Sequence, residues 1–291
     1  MVFSRGYIVC ICIFAILGAA GCGGPKVTPI DLSKIPQRYE TAAEVVALVN
    51  AGADSIRAVR ADLDLSFRKG PGAKPRRCSG KLISLRGPRG TDASIYLKGY
   101  RRLAPTFFTL VSDGTEFWLH VPSKNTVYTG PVVRERPEQA PVGPGASASS
   151  AEDQGDTTAI DLEAADLSRA LFVEPIDTVL DCRMSFDDGH YILEVVENGV
   201  VRRRLRIEGM RLCVVGETYY TPEGVEELDL FRSQFTMDAG APYPRHIVIA
   251  RPASGKEVTL DIGKLDLAPP DPRTAAFRFV PPGGARIERI E

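Results

Sequence analysis

The sequence predicts a mainly β protein with a few helices, and three patterns support this class. Apolar and polar residues alternate along several segments, as in antiparallel strands that bury one face. Short clusters of glycine, proline, asparagine and aspartate separate these segments, as hairpin turns do. Two other segments repeat their apolar residues at helical spacing. Together the patterns indicate roughly ten strands and two helices.

The first residues have the layout of a secretory signal peptide. Arg5 is the only charge before an apolar run that ends in small residues directly before Cys22. The apolar stretch from Tyr7 to Ala20 has 14 residues, whereas a helix needs about 20 to cross a bilayer. We therefore expect a cleaved signal at 1–21 rather than a permanent transmembrane helix.

Small residues followed by cysteine resemble a bacterial lipoprotein signal, in which the cysteine is lipidated and becomes the mature N-terminus. This resemblance implies a lipid anchor at Cys22, although Ala19 stands where leucine is more usual. Gly23 replaces the aspartate that commonly signals inner-membrane retention, so the resemblance implies the bacterial outer membrane, facing the periplasm. The alternative is an ordinary secretory signal, with Cys22 as a free or disulfide-bonded thiol. Residues 22–38 are typical of a tether.

The composition narrows the chemistry that the chain can perform. Its formal net charge is −1, from 36 Lys and Arg against 37 Asp and Glu, so nothing attracts it globally to nucleic acid. His120, His190 and His246 are its only histidines, and none belongs to a metal or catalytic motif. We expect each to be a solvated or hydrogen-bonded strand residue. We predict no enzymatic activity, no metal and no cofactor.

The cysteines beyond Cys22 leave two arrangements open. They are Cys78, Cys182 and Cys213. In an oxidising compartment an odd number allows one disulfide and one spare thiol, or three buried thiols. The sequence does not choose between these arrangements.

A helix is predicted first, after the tether. Thr41 and Glu44 have the spacing of a capping box. Apolar residues then recur at helical spacing to about Arg60, while Gly52 weakens the middle. One amphipathic helix is the first interpretation. Two short helices broken near 50–52 are the alternative.

Strands follow, because the period of the apolar pattern changes from 3.6 to 2. The clearest segments are ADLDLSFR, ASIYLK and EFWLHV, with turn residues between them. This half is typical of a meander of hairpins. The residues that share the apolar side of these three segments include Leu63, Leu65, Phe67, Ile95, Leu97, Phe117 and Leu119.

Residues 136–158 interrupt the pattern with proline, glycine, serine and acids. They hold too little apolar surface to offset the entropy of ordering. We interpret them as a mobile insertion within one domain, 39–291, because each flanking half looks too incomplete to close a core. A short helix is predicted at Asp161–Phe172, and strand candidates then run to AFRFV, with ARIERI last.

A basic cluster lies on one of the later strand candidates. Alternation places Arg202, Arg204 and Arg206 on one face and Arg203 on the other. The three are weak candidates for contact with anionic lipid head groups, which attract basic residues near a surface. The alternative is an ordinary solvated outer sheet face.

Half-buried strands of this kind form either a sandwich or a strongly curved sheet covered by helices, and composition does not decide. The stretch from Phe108 to Gly130 helps, because it resembles the signature hairpin of the Lol-type lipoprotein-sorting carriers. The residues that carry the likeness are Asp113, Gly114, Trp118, Pro122 and Val127. The preceding helix and strand, and the last strands, also fall in that family's order.

This resemblance implies a half-open antiparallel β-barrel with helices as a lid, holding acyl chains in an apolar cavity. The seven apolar residues named above become the candidate cavity wall, with an ordinary packed core as the alternative. The implied partners are lipoprotein acyl chains or lipids, a periplasmic carrier protein, and the membrane through the anchor. Cys22 places the chain nearer the lipid-anchored receptor of the family. An anchored, non-catalytic interaction module without lipid cargo is the alternative function.

Overall fold

A large antiparallel sheet dominates the structure. The computed structural model describes residues 35–88, 91–101, 106–132, 163–268 and 274–290. The predicted signal peptide, Cys22 and the 136–158 insertion lie outside these residues. Neither helix of the described part combines the length and the apolarity needed to cross a bilayer.

The helices are α1 (Ala42–Ser55) and α2 (Ala164–Leu171). The strands before α2 are β1 (Ala58–Arg68), β2 (Arg76–Leu85), β3 (Ser94–Tyr100), β4 (Thr106–Ser112), β5 (Glu116–Val121) and β6 (Thr126–Pro131). The strands after α2 are β7 (Asp181–Asp187), β8 (His190–Glu197), β9 (Val200–Glu208), β10 (Val214–Tyr220), β11 (Glu226–Ser233), β12 (Thr236–Asp238), β13 (Ala241–Tyr243), β14 (His246–Arg251), β15 (Lys256–Asp266) and β16 (Arg286–Arg289).

Fourteen of these strands form one sheet, in the order β16-β6-β5-β4-β3-β2-β1-β15-β14-β11-β10-β9-β8-β7. Every pairing is antiparallel except that of β16 with β6. Five register shifts interrupt the described pairings, and such irregularities bend strands and increase their twist. In the described residues the curved sheet is open, because β16 and β7 remain its outer strands. Among the described residues the prediction of a mainly β chain with two helices is confirmed, but the strands number sixteen rather than roughly ten.

The first helix begins as the sequence predicts. Thr41 Oγ1 accepts a hydrogen bond from the Glu44 backbone N–H at 3.3 Å, and the Glu44 carboxylate accepts one from the Thr41 N–H at 3.1 Å. It is one helix, but it ends at Ser55, so its predicted extension to Arg60 is wrong. The reason is tertiary: β1 already pairs with β2 at Ala58, and a strand cannot also be helical.

The chain end also differs from its prediction. AFRFV is not a strand, because residues Thr274–Phe277 form a 3₁₀ turn. The Phe279 ring then stacks on Trp118, with 6.4 Å between centroids. The last segment, β16, continues the sheet beside β6. The chain end therefore packs against existing strands instead of adding a hairpin.

Strand β2 was not predicted from the sequence, because its alternation of apolar and polar residues is weak. Its inward positions hold Gly80 and Ser84 among apolar residues, which blurs the alternation. A side chain at Gly80 would meet Leu63 and Leu65 at 2.9 and 3.1 Å. Glycine is therefore needed where two leucines of the neighbouring strand occupy the space above it.

Candidate functional site

The candidate site is the inner face of the sheet, defined as the face on which α1 and α2 lie. Six of the predicted wall residues are buried there in one apolar cluster, and the seventh, Phe117, is partly buried against it. Leu97 and Ile95 have no exposed surface. The strands place the seven residues on one face as predicted. Whether they line an acyl-chain cavity stays a prediction.

The α2 helix packs on this apolar cluster. Leu167 and Ala170 are fully buried, and Leu171 and Phe172 nearly so. The Ser168 hydroxyl accepts a hydrogen bond from the Ala93 N–H at 2.9 Å, which ties the helix to the beginning of β3. The sequence predicted this helix but not that nearly every side chain on it is buried.

The α1 helix packs on a separate apolar cluster. Val45, Val46 and Val49 meet inward residues of β8 and β9, among them Tyr191 and Leu205. The two helices therefore cover different strands of the same face.

A buried charged group lies between these clusters. Glu217 on β10 accepts hydrogen bonds from Arg203 at 2.7 and 3.0 Å, and from Arg232 on β11 at 2.6 Å. The Tyr219 hydroxyl donates a further one at 2.9 Å. Burial opposes ionisation of Glu217, but the two guanidinium groups outweigh it and hold the pKa of the carboxyl below its usual value.

Arg232 also fastens α2 through its backbone, together with Tyr243. Arg232 donates to the carbonyl oxygens of Arg169 at 2.6 Å and Ala170 at 3.1 Å. The Tyr243 hydroxyl donates to the Leu171 carbonyl at 3.1 Å. These are carbonyls of the last turn, which have no partner within the helix. A cation at this end also complements the helix dipole.

The other end of α2 is held by an ion pair. Arg251 contacts Asp166 at 2.8 Å and Glu163 at 2.7 Å. The second oxygen of Asp166, Oδ1, is buried without a hydrogen-bond partner. Burial raises the pKa of Asp166, while Arg251 acts in the opposite direction. The polar groups at this end of α2 are therefore less completely hydrogen-bonded than those at its C-terminal end.

An apolar pocket of about 80 Å³ lies where the two helices approach each other. Its lining includes Val49 and Ala53 from α1, Leu171 and Val173 from the end of α2, and Tyr243 from β13. Known ligand pockets measure about 300–1,000 Å³. In this conformation the pocket is therefore smaller than a site for a long acyl chain.

A wider polar groove, of about 710 Å³, lies beside this pocket. Arg86 lines both spaces. It donates to the carbonyls of Ile56 at 2.9 Å and Val173 at 3.1 Å. Arg86 thus links the end of α1 with the segment that follows α2.

The predicted head-group arginines lie on the outer face, and ion pairs engage two of them. Arg204 contacts Glu194 at 2.9 Å, and Arg202 contacts Glu197 at 3.7 Å. Arg206 lies 3.4 Å from the ring of His190. Their role in lipid contact stays a prediction.

Two of the three histidines are hydrogen-bonded as expected, whereas the Nε2 atom of His120 is not. His190 contacts the Asp188 carbonyl, and His246 contacts Asp261 at 2.6 Å; His120 Nε2 is buried without a partner. No group of metal-binding side chains is found among the described residues. The thiols that the sequence left unassigned are all free, namely buried Cys78, buried Cys213 and half-buried Cys182.

Sequence reasoning missed Glu217 and Arg232, although the strands carried a signal. On β11, Leu228, Leu230 and Arg232 share the inward phase, so the arginine interrupts an apolar alternation. Arg203 similarly shares the inward phase of Leu205 on β9. A charged residue at an inward strand position requires a partner.

Comparison with solved structures identifies a protein with the same fold. No protein-family model and no curated protein sequence matches the chain. A DUF1329 family protein from Desulfovibrio piger is similar in structure, with a TM-score of 0.55 and 16% identity over 81% of this chain and 95% of that one. The chain shares its fold with that protein.

Lipoprotein-sorting structures are also among the similar ones. A putative outer membrane lipoprotein-sorting protein domain from Vibrio parahaemolyticus has a TM-score of 0.47 and 12% identity, over 76% of this chain and 90% of that one. A LolA superfamily protein from Nitrosomonas europaea has a TM-score of 0.47 and 12% identity, over 78% and 94%.

Proposed function

We propose that the protein is a lipid-anchored envelope protein that binds acyl chains on the inner face of its sheet. It takes part in the transfer of lipoproteins or lipids to the outer membrane and performs no catalysis. The Lol-type hairpin in the sequence and the lipobox before Cys22 support this proposal. The proposed anchor is at Cys22, facing the periplasm.

The observation that carries the proposal is the way α2 covers the apolar strands. The helix has eight residues, and helices shorter than about 12–15 residues are marginal by themselves in water. Its order therefore depends on docking, and much of that docking consists of hydrogen bonds to the carbonyls of Arg169, Ala170 and Leu171. We infer that α2 is a movable cover over an apolar surface.

Movement of α2 would supply the volume that the small pocket lacks. The buried surface of Leu167 and Leu171 leaves the apolar cluster when the helix lifts, and a hydrocarbon chain takes its place. Apolar burial is non-directional and proportional to area. One apolar partner therefore replaces another at a small net cost, as reversible transfer of cargo requires.

The test uses the full chain carrying Cys22→Ser, so that its own anchor does not compete. A fluorescent fatty acid is titrated into the protein, and native mass spectrometry records lipid that copurifies with it. Ala53 lines the pocket, whereas Ala51 on the same helix is exposed. We expect Ala53→Leu to weaken probe binding at least about tenfold because it fills the pocket, and Ala51→Leu to leave it unchanged.

Absence of copurified lipid together with absence of probe binding would contradict the carrier function. The alternative, an anchored interaction module, has one observation in its favour. A side chain at Gly99 would lie 2.3 Å from the Phe108 ring, so part of the inner face is filled by the protein itself. Stable capture of one envelope protein by a lipid-free preparation would support that alternative.

The proposed anchor has its own test. Cys22→Ser should move the protein from the membrane fraction to the soluble fraction and abolish incorporation of labelled palmitate, since the acyl chains hold it at the bilayer. Cys182→Ser, which alters a half-buried thiol of the sheet, is the matched control. Label retained by Cys22→Ser would rule out this attachment site.

A further inference from the structure

Exposed basic residues cluster at the turn between β1 and β2 and just after the end of β3. From Ser66 to Arg77 the sequence has five basic residues and no acidic one, although the chain has a net charge of −1. We call this region the basic end. Its members, all exposed, are Arg68, Lys69, Lys74, Arg76, Arg77 and Arg101.

The basic end is supported by the neighbouring turn, between β14 and β15. A side chain at Gly255 would lie 2.4 Å from the Pro71 ring, which shows how closely the two turns approach. Arg68 contacts Glu257 on β15 at 3.6 Å. The cations are therefore presented from a braced hairpin rather than from an isolated loop.

A groove of about 620 Å³ adjoins the basic end, but its own charges balance. Arg68, Arg77 and Arg101 line it. The carboxylates of Asp64, Asp261 and Glu257 line it as well. A small free anion would meet as many carboxylates as guanidinium groups there. The hairpin itself, residues 66–77, has five basic residues and no acidic one, a composition that favours an extended anionic partner over a small ligand.

We propose that the basic end docks on the surface of a membrane that contains anionic phospholipids. Basic residues gain most when several lie close to such a surface together, because the attraction falls off within a Debye length. This inference rests on the proposed function as a membrane-anchored carrier. It assigns head-group contact to residues other than Arg202, Arg204 and Arg206.

The docking geometry has a consequence for the pocket between the helices. β1 has 11 residues, so its two ends are about 35 Å apart. The basic end lies where β1 finishes, whereas Ile56 and Arg86 at the pocket lie where it begins. A protein docked by this end holds the pocket away from the bilayer, accessible to a carrier that brings cargo.

The experiment measures sedimentation of the full Cys22→Ser chain with vesicles of phosphatidylcholine alone, or of phosphatidylcholine mixed with about 30% of the anionic lipid phosphatidylglycerol. We expect binding to the anionic vesicles only, and its loss at high salt. The double variant Lys74→Gln/Arg77→Gln should lower the partition coefficient about thirtyfold, as expected for two lost surface cations. Arg202→Gln/Arg206→Gln removes the same charge from β9 and should leave it nearly unchanged.

The proposal would be overturned if both double variants lost vesicle binding equally, or if only the β9 variant lost it. Binding of the chain to a nucleic acid or heparin column without binding to anionic vesicles would also overturn it. Urea unfolding of both variants excludes misfolding as the cause. The fatty-acid titration separates this inference from the proposed function, because Lys74→Gln/Arg77→Gln should bind the probe like the parent chain.

Discussion

The inner face has two regions that are held together by different physics. Beneath α2, the strands from β1 to β5 present apolar side chains such as Leu97 and Ile95, which contact one another without directional bonds. On β9 to β11 the same face presents Arg203, Glu217 and Arg232, joined by hydrogen bonds of 2.6 to 3.0 Å.

The difference shows where the structure can change. An apolar surface accepts any apolar partner of suitable shape. A buried charge does not, because removing its partner leaves an uncompensated charge in a medium of low dielectric constant. We therefore expect the apolar region to exchange partners, and the pairs of Glu217 with Arg203 and Arg232 to stay fixed when α2 moves.

The largest effect is expected from Glu217→Gln, which breaks the charged region. Two buried guanidinium groups would lose their common carboxylate, and losing one member of a buried pair costs about 3–5 kcal/mol. Urea unfolding measures the loss. Glu194→Gln, which breaks the exposed pair with Arg204, should cost about 1 kcal/mol or less. Similar losses in the two variants would show that burial does not make the Glu217 pairs more important for stability than an exposed pair.

Leu97→Ala tests the apolar region. Truncating a buried leucine costs about 2–5 kcal/mol, with the higher values at sites that cannot relax around the cavity. The neighbouring outward residue provides the control, since Lys98→Ala should stay within about 0.5 kcal/mol of the parent. A loss of stability near about 5 kcal/mol indicates a rigid core beneath α2. A loss near about 2 kcal/mol indicates an apolar surface that can rearrange, as a carrier requires.

Tyr243→Phe tests whether α2 is a cover held by hydrogen bonds. It removes only the bond to the Leu171 carbonyl, and a typical hydrogen bond contributes about 0.5–1.5 kcal/mol. Lifting α2 then costs less, so we expect fatty-acid binding to tighten about twofold to tenfold while stability falls slightly. Tyr191→Phe, beneath α1, removes bonds to Arg38 and Tyr39 and should not tighten binding. Unchanged affinity in Tyr243→Phe would argue against a moving α2.

The smallest effect is expected in acid. The folded protein holds the pKa of Glu217 below the ordinary value of 4.5. Its contribution to stability is therefore complete above pH 4.5 and is lost as the pH falls through the lower folded value. The difference in unfolding free energy between the parent and Glu217→Gln should be full at pH 6 and should narrow below pH 4.5. A difference that widens in acid would assign the charge effect to another group.

Much of the sheet was predictable because alternation is a local property. β5 has the bounds of the predicted segment EFWLHV, since the strand alternates buried and more exposed positions. The turn at Asn198-Gly199 is also a local property. Both residues adopt a positive φ, of 53° and 81°, as a tight two-residue hairpin turn requires. The capping box at Thr41 likewise involves only residues of one helical turn.

By itself the sequence determined the strand-rich class, the two helices and which apolar residues share a face. Tertiary structure decided where α1 ends, that β16 lies beside β6, and that Glu217 pairs with Arg203 and Arg232. The physical reason is distance along the chain. Periodicity and capping act between residues a few positions apart, whereas Arg232 reaches carbonyls 62 and 63 residues away. Only the folded sheet brings those groups together.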